Sequence, residues 1–176
     1  MINVYQREDY LNAQKSRKNI LKGVFISLGL MLALNLSVFI YYIGLEYNTP
    51  LRTPLILVNV ISCAIYSVVL YLIFSIKYKR VNCYVNMLKD MQVGLKSEGV
   101  NTFVRTDSSL ISKNGVDFVS LVVLEWSEKK QEYFERNILF DVEKQLPQLK
   151  KGDVIKHVTH ANILISYELA SNSIFE

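Results

Sequence analysis

Residues 23–45 read GVFISLGLMLALNLSVFIYYIGL, and residues 53–76 read TPLILVNVISCAIYSVVLYLIFSI. Neither stretch contains an Asp, Glu, Lys, Arg or His residue. As a helix that rises about 1.5 Å per residue, each would measure about 35 Å, which is enough to cross a bilayer core of about 30 Å. A core helix of a soluble protein usually keeps a polar stripe, and neither stretch shows one. The sequence therefore predicts two transmembrane helices, at about 23–45 and 53–76.

The linker between the two stretches, residues 46–52, is short and turn-like. Pro50 disfavours helical backbone at the residue before it, and Pro54 suits the first turn of the next helix. A linker of this length cannot form a domain, so we expect the two helices to be antiparallel neighbours in one hairpin, residues 23–76. Tyrosines gather near both ends of the hairpin, as is typical of the membrane interface: Tyr41, Tyr42, Tyr47, Tyr78 and Tyr84.

The net charge of +4 is distributed unevenly along the chain. Residues 1–22 and residues 77–98 each carry five basic and two acidic groups, whereas residues 99–176 carry nine basic and eleven acidic groups. The linker offers only one basic residue, so the positive-inside rule places both termini in the cytoplasm. We expect the hairpin in the plasma (cell) membrane. The basic side chains that flank the hairpin are candidates for contact with lipid headgroups: Lys15, Arg17, Lys18, Lys22, Lys77, Lys79 and Arg80.

The two basic flanks differ in their expected structure. Residues 1–22 form a basic cytoplasmic segment, and two interpretations stay open for it: a short helix on the membrane surface or a frayed terminus. Residues 77–98 predict a juxtamembrane helix that ends at Gly99. Its apolar residues follow the spacing of one helical face: Val81, Tyr84, Val85, Leu88, Met91 and Leu95.

Small and polar residues inside the two membrane stretches are candidates for helix–helix interfaces. Small residues permit close approach, and Asn, Ser and Cys side chains can bond between helices. Such faces either join the two helices of one hairpin or bind a second copy or another membrane subunit. The candidates are Gly23, Ser27, Gly29, Ala33 and Asn35 in the first helix and Asn59, Cys63 and Ser67 in the second.

Residues 99–176 change to the period of strands and predict a small, mostly β cytoplasmic domain, an OB-like or SH3-like barrel or sandwich. Asn114-Gly115 predicts a hairpin turn, and Val116–Trp126 predicts a central strand because both of its faces are apolar. Residues 142–146 predict one helical turn, and residues 154–158 and 163–169 predict a last hairpin. The layout is similar to that of the NfeD-like membrane proteins, which also place a small β-barrel after a helical hairpin; no motif of the chain carries the similarity.

Candidate chemistry in this domain is sparse. His157 and His160 are its two histidines, and without further ligands nearby we expect them on the surface or in a turn and predict no metal site. Asp141 belongs to a stretch of alternating charges that is typical of a solvated face. The chain has no phosphate-binding glycine loop and no hydrolase or zinc-protease motif, so we predict no catalytic residues, no cofactor and no identifiable small-molecule substrate.

These observations favour a non-enzymatic membrane protein whose cytoplasmic β domain is an interaction or regulatory module, or an accessory subunit of a membrane complex. The expected partners are the lipid bilayer, a second copy of the chain, or another membrane or cytoplasmic protein, and not nucleic acid. Two alternatives are an oligomeric pore or transport-accessory protein, with the face of Asn59, Cys63 and Ser67 along its axis, and a membrane-tethered enzyme built around the histidines.

Overall fold

A computed structural model describes residues 1–113 and 115–170. The chain divides into two compact units: Gln14–Asn82 form the hairpin unit, and Met1–Ala13 together with the chain from Cys83 onward form the barrel unit. Asn114 of the predicted hairpin turn and residues 171–176 of the predicted β domain lie outside the described residues.

Two long apolar helices are present, and both are long enough to cross a membrane. Helix α1 covers Arg7–Gly44 and helix α2 covers Arg52–Leu72. Helix α2 continues through a π-helical segment, Ile73–Tyr78, into helix α3, Lys79–Val93. Pro54 lies in the first turn of α2, as the missing N–H of proline requires.

Helix α1 begins well before the uncharged stretch, and a local cap explains its start. The backbone N–H of Gln6 donates to the Asp9 carboxylate at 2.8 Å, which is the reciprocal half of a capping box. Glu8 and Asp9 also place negative charge in the first helical turn, where it is favourable. Of the two interpretations of the N-terminal segment, the structure shows a helix over most of it.

Helix α3 ends earlier than its pattern predicts. The chain leaves the helix at Gly94, whose N–H donates to the Asp90 carbonyl at 2.6 Å, and the predicted stop Gly99 lies instead inside a strand. Leu95 is therefore 94% exposed, which corrects its place in the apolar stripe. Met87 is buried although the stripe omits it.

The barrel unit is a closed barrel of five strands with a short sixth strand beside it. The strands are β1 Ile2–Asn3, β2 Ser97–Lys113, β3 Val116–Ser127, β4 Glu132–Asp141, β5 Val154–His160 and β6 Ile163–Leu169. From the second strand onward the order around the barrel is β2-β3-β4-β6-β5, and β5 pairs with β2 to close it. Strands β4 and β6 are parallel and pair at Leu139 and Ile163, whereas β1 pairs antiparallel with β6.

Two connections depart from the predicted ones. The last hairpin turns on Ala161 and Asn162, which both have positive φ (49° and 67°), as a tight two-residue hairpin turn requires. The predicted helical turn at residues 142–146 is wrong. Its place is taken by a turn in which the N–H of Glu143 donates to the Asp141 carboxylate at 2.9 Å, an arrangement that competes with helix formation.

The core lies inside the barrel and on one outer face of it. The inner cluster consists of Phe103, Leu121, Val123, Ile138, Phe140, Ile155 and Leu164. Because side chains alternate along a strand, Phe118, Ser120 and Val122 face the other way, and they are buried as well. Strand β3 is therefore central with two buried faces, which confirms the prediction for Val116–Trp126.

Candidate functional site

The two helices of the hairpin unit meet along a seam of half-buried residues. Along α1 these residues recur at intervals of three and four, and along α2 they do the same, which is the spacing of a left-handed helix pair. The seam of α1 contains Ile20, Val24, Ser27, Met31, Asn35, Val38 and Tyr42, of which Val24 is buried, and Leu45 continues it just after the helix. The seam of α2 contains Arg52, Leu55, Asn59, Ser62, Tyr66 and Leu70.

Two polar contacts cross this seam. The hydroxyls of Ser27 and Tyr66 lie 2.9 Å apart, and the thiol of Cys63 donates to Asn35 Oδ1 at 3.2 Å. Asn35 also donates from Nδ2 to the Met31 carbonyl at 2.7 Å, so its amide is anchored on its own helix. Three of the polar candidates, Ser27, Asn35 and Cys63, therefore form side-chain contacts within one hairpin.

The eight interface candidates do not form one common face. Ser27, Asn35 and Asn59 are half-buried in the seam. The other five are exposed: Gly23, Gly29, Ala33, Cys63 and Ser67. A Cβ atom added at Gly23 or Gly29 would meet nothing within 4 Å, so these glycines present open helix surface. The sequence missed Tyr66, because a tyrosine in an apolar stretch gives no spacing signal of its own.

The headgroup candidates gather at one end of the hairpin. Arg17 of α1 donates to Asn82 of α3 at 3.2 Å and thereby ties the two basic segments together. Arg17 is half-buried. The other six candidates are exposed: Lys15, Lys18, Lys22, Lys77, Lys79 and Arg80. The linker with Arg52 lies at the opposite end, so most of the basic side chains of the hairpin unit are concentrated at one of its two ends.

In the barrel unit, residues 1–9 form a strap over the gap between β4 and β6. Ile2 and Asn3 pair with Tyr167 and Ser166 of β6, and the N–H of Val4 donates to Ile165 O at 2.9 Å. Strand β4 pairs with β6 at a single position, so this gap would be open without the strap. Sequence reasoning missed the strap because a two-residue strand has no period.

Two side-chain contacts hold the strap to the end of β4. The Tyr5 hydroxyl donates to Asp141 Oδ2 at 3.3 Å, and Lys144 Nζ lies 2.7 Å from Asp9 Oδ1. Burial raises the pKa of Asp9, but the N–H of Gln6 and the Lys144 ammonium outweigh it and hold this pKa below its usual value. A carboxylate that carries a charge at neutral pH therefore pairs with Lys144.

Asp141 is the most thoroughly buried acidic residue of this region, with 0% of its surface exposed. Burial raises its pKa, while the hydrogen bonds from the Glu143 N–H and the Tyr5 hydroxyl oppose the rise. Burial and then the charge of Asp141 raise the pKa of Tyr5 and of Tyr84 well above the usual value for a phenol. The expectation of a solvated Asp141 is wrong, because Asp141 is buried at the end of β4 and Tyr5 of the strap bonds to it.

A groove of about 590 Å³ lies between the strap and the loop that follows β4. Its walls combine apolar side chains, among them Val4, Phe140 and Tyr167, with the Asp9–Lys144 pair and several amides. A groove of this mixed character and size can accept a small ligand or a short peptide. It contains no constellation of nucleophile, base and oxyanion donors.

His157 is a second polar centre, inside the barrel, and only 1% of its surface is exposed. Asn101 donates an amide N–H toward His157 Nε2 at 3.1 Å, while Nδ1 finds no partner among the described residues. Burial and the charge of Arg136 lower the pKa of His157, and Glu125 opposes them. Gly99 faces the imidazole across the β2–β5 pair, since an added Cβ would lie 2.9 Å from His157 Cε1.

The expectation of surface histidines is thus wrong for His157, whereas His160 is half-buried beside the turn and its Nδ1 lies 2.9 Å from the Leu95 carbonyl. Arg136 closes the polar centre by bonding Glu125 at 3.0 Å and Asn162 at 2.9 Å. Within residues 1–113 and 115–170, no three His, Cys, Asp or Glu side chains are grouped to hold a metal ion.

Comparison with protein-family models, with curated proteins and with solved structures gives no match for this chain.

Proposed function

We propose that this chain is an integral protein of the plasma (cell) membrane, in which the α1–α2 hairpin spans the bilayer and both termini lie in the cytoplasm. The observation that carries this proposal is the exposure of the apolar helix surface. Ile40 and Tyr71, for example, are 69% and 70% exposed, and the same holds for most large side chains outside the seam. Soluble proteins rarely expose a contiguous apolar surface of this extent, whereas lipid tails cover it without cost.

The orientation follows from the two ends of the hairpin. Seven basic side chains gather at the end with Arg17 and Asn82, and the linker at the other end carries only Arg52 and Glu46. Anionic headgroups attract each of these basic residues by about 1 kcal/mol, so the basic end belongs to the cytoplasmic leaflet.

The barrel unit serves as a non-enzymatic interaction or regulatory module, or makes the chain an accessory subunit of a membrane complex. Its strand order with a parallel closing pair is of the Greek-key type and agrees with an OB-like barrel, a fold that commonly binds ligands on its surface. The groove beside the strap and an exposed aromatic pair, Trp126 and Tyr133 at 4.9 Å between ring centroids, offer binding surface. The partner is a second copy of the chain or another membrane or cytoplasmic protein.

Thiol labelling tests the topology. In a Cys63→Ser background, an impermeant maleimide should label Cys83 only after the cells are permeabilised. In a background without either natural cysteine, Asn48→Cys in the linker should be labelled in intact cells. Labelling of Cys83 from outside would contradict the orientation, and extraction of the chain by alkaline carbonate would contradict the membrane span.

Purification in a mild detergent tests the interaction role separately. We expect the chain to elute with a second copy or with another protein, and to lose that partner when Trp126→Ala or a substitution at an exposed groove residue such as Leu146→Ser is introduced. A monomer without any companion, from membranes in which the labelling pattern is correct, would refute the interaction role and leave the topology standing.

A further inference from the structure

Arg52 is the one basic residue between Lys22 and Lys77, and it is the first residue of α2. Its guanidinium carbon lies 4.6 Å from the centroid of the Tyr42 ring and 5.4 Å from that of the Tyr47 ring. Both distances are within the range of cation–π attraction. Two aromatic faces, one from the end of α1 and one from the linker, therefore hold a planar cation in a defined place, which we call the Arg52 cage.

The cage satisfies the charge of Arg52 but not its hydrogen bonds. Ring faces attract a cation and accept no strong hydrogen bond, whereas a guanidinium carries five N–H donors. The Nε atom of Arg52 is buried and has no acceptor in the described part of the chain. Glu46 belongs to the same linker, yet the described residues form no ion pair between it and Arg52. The two Nη atoms also have no hydrogen-bond partner among the described residues, but unlike Nε they are not buried, so an acceptor from outside the chain can reach this edge of the guanidinium.

We propose that the Arg52 cage binds a phosphate group through the free edge of the guanidinium. The planar fork of arginine matches two oxygens of a phosphate, and stacking on Tyr42 and Tyr47 fixes the plane of the fork before the anion arrives. A lipid headgroup and free phosphate share this chemistry. The headgroup source rests on the proposed membrane span, which puts the linker at the level of the phosphates in the leaflet opposite the basic end. The interfacial tyrosines of the cage are typical of that level.

The Nε–H resonance of Arg52 reports directly on the site. The full-length protein, with 15N at arginine Nε, is kept in micelles of a maltoside detergent, which contains no phosphate, and its Arg52 signal is assigned by its loss in Arg52→Gln. Three probes are added in turn: a short-chain phosphatidylglycerol, a short-chain phosphatidylcholine and inorganic phosphate. We expect saturable movement of this signal with both lipids, and half-saturation by inorganic phosphate at a concentration about tenfold higher, since a lipid is also held by its chains.

The outcomes separate the sources. Movement with lipids at lower concentration supports a headgroup site, equal movement with inorganic phosphate supports a free-phosphate site, and no saturable movement with any probe overturns the proposal. The titrations are made in micelles and do not depend on the orientation of the chain in a membrane. If thiol labelling gives the expected topology but the Arg52 signal does not respond to any probe, only the phosphate-binding proposal is refuted. A saturable Arg52 in a chain whose Asn48→Cys is not labelled from outside refutes the membrane topology alone.

Variants distinguish a shaped site from a simple positive charge. Arg52→Lys keeps the charge and removes the planar fork, and we expect it to weaken lipid binding, measured as lipid adducts by native mass spectrometry, by about tenfold. Tyr42→Leu combined with Tyr47→Leu should weaken it similarly, because the guanidinium then loses both supporting rings. Arg17→Lys, the same substitution at the opposite end, is the matched control and should leave the Arg52 signal and its titration unchanged. Equal binding by Arg52→Lys and wild type would overturn the proposal.

Discussion

The hydrogen bond from Tyr5 to Asp141 holds the strap to the barrel, and its removal should destabilise the barrel unit. Tyr5→Phe deletes the hydroxyl and leaves Asp141, a fully buried carboxylate, with the Glu143 N–H as its remaining side-chain hydrogen bond. A hydrogen bond to a charged group contributes about 1.5–3 kcal/mol. The O···O distance of 3.3 Å is long for such a bond, so the lower end applies. We expect a loss of about 1.5 kcal/mol, or about a tenfold fall in the ratio of folded to unfolded protein.

The loss of stability in Tyr5→Phe should depend on pH, and the ionisation of the Asp141 carboxyl determines whether it grows or shrinks as the pH rises. The Tyr5 hydroxyl stabilises the charged form and so holds the pKa of Asp141 lower than burial alone would. The contribution of Tyr5 is therefore present above this pKa and is lost as the pH falls through it. Asp141 itself acts in the opposite direction: because burial raises its pKa, its charge costs stability as the pH rises. Asp141→Asn, which keeps the shape and removes the charge, should then be more stable relative to wild type at pH 7.5 than at acidic pH.

Urea titration of the full-length protein in maltoside micelles measures these differences, with the fluorescence of Trp126, the single tryptophan, as the probe. The matched control is Tyr10→Phe, since Tyr10 is a half-buried tyrosine near the start of α1 and its hydroxyl bonds no other described side chain. Titrations at neutral and acidic pH should show a Tyr5→Phe deficit that shrinks with acidity and a Tyr10→Phe deficit near zero. Equal deficits for the two variants, or a Tyr5→Phe deficit independent of pH, would refute the role of the strap.

Three further predictions concern other parts of the molecule. Burial lowers the pKa of His157, so the contribution of this histidine to stability is full above the unfolded pKa of about 6.5 and is lost as the pH falls below that value. His157→Gln should therefore remove the loss of stability between pH 7.5 and pH 5.5 in urea titrations. An unchanged loss between these two pH values would contradict the prediction. Gly99→Ala should destabilise the barrel by about 1–3 kcal/mol, because its Cβ would press on the imidazole, whereas Gly23→Ala, with open space around it, should not. Asn35→Leu should weaken pairing of the two hairpin helices by about 0.6–1.7 kcal/mol in a split-hairpin association assay, because it removes the acceptor of the Cys63 thiol. Unaltered pairing would show that apolar contacts alone hold the seam.

The hairpin was predictable because its signals are local. A run of uncharged residues determines a helix of membrane length, and Pro54 marks a helix start, without reference to any distant residue. The start of α1 at Arg7 also has a local signal, the carboxylate of Asp9 in the first helical turn. The uncharged stretch begins only at residue 23, however, and the predicted membrane helix was therefore started there. Boundaries were therefore less accurate than the existence of the helices.

The barrel was predictable where each strand carries its own period, as in Val116–Ser127, and not where the strand exists because of its partner. Residues 97–101 are mostly polar and contain Gly99, yet they extend β2 because β5 pairs with them from Ser97 opposite Thr159. The strap is the same case, with two residues that become a strand only beside β6. No window of the sequence contains this information.

The polar centres were missed for a related reason. Asp141 and His157 are residue types that usually face water, so a surface position was the expectation. Their burial depends on partners far away in the sequence, Tyr5 for the first and Asn101 for the second. A buried polar group costs stability unless it is bonded, so each such contact restricts which chain segments can cover the barrel.

The polar contacts of the hairpin lead to a conclusion about which surface remains for a partner. Apolar side chains in lipid gain little from contact with each other, so the register of two membrane helices depends on close packing and on the few bonds that cross between them. Ser27–Tyr66 and Asn35–Cys63 are two such bonds, and a shift of either helix by one turn would break both. With these groups used inside the hairpin, the open surface around Gly29 is apolar, since the exposed residues three and four positions away are Phe25, Ile26, Leu32 and Ala33. A second membrane helix that binds there must therefore be recognised by shape. Gly29→Leu should abolish such an association, because it fills the open surface. Asn59→Leu lies within the seam and should affect the association only indirectly, by altering the packing of the two hairpin helices.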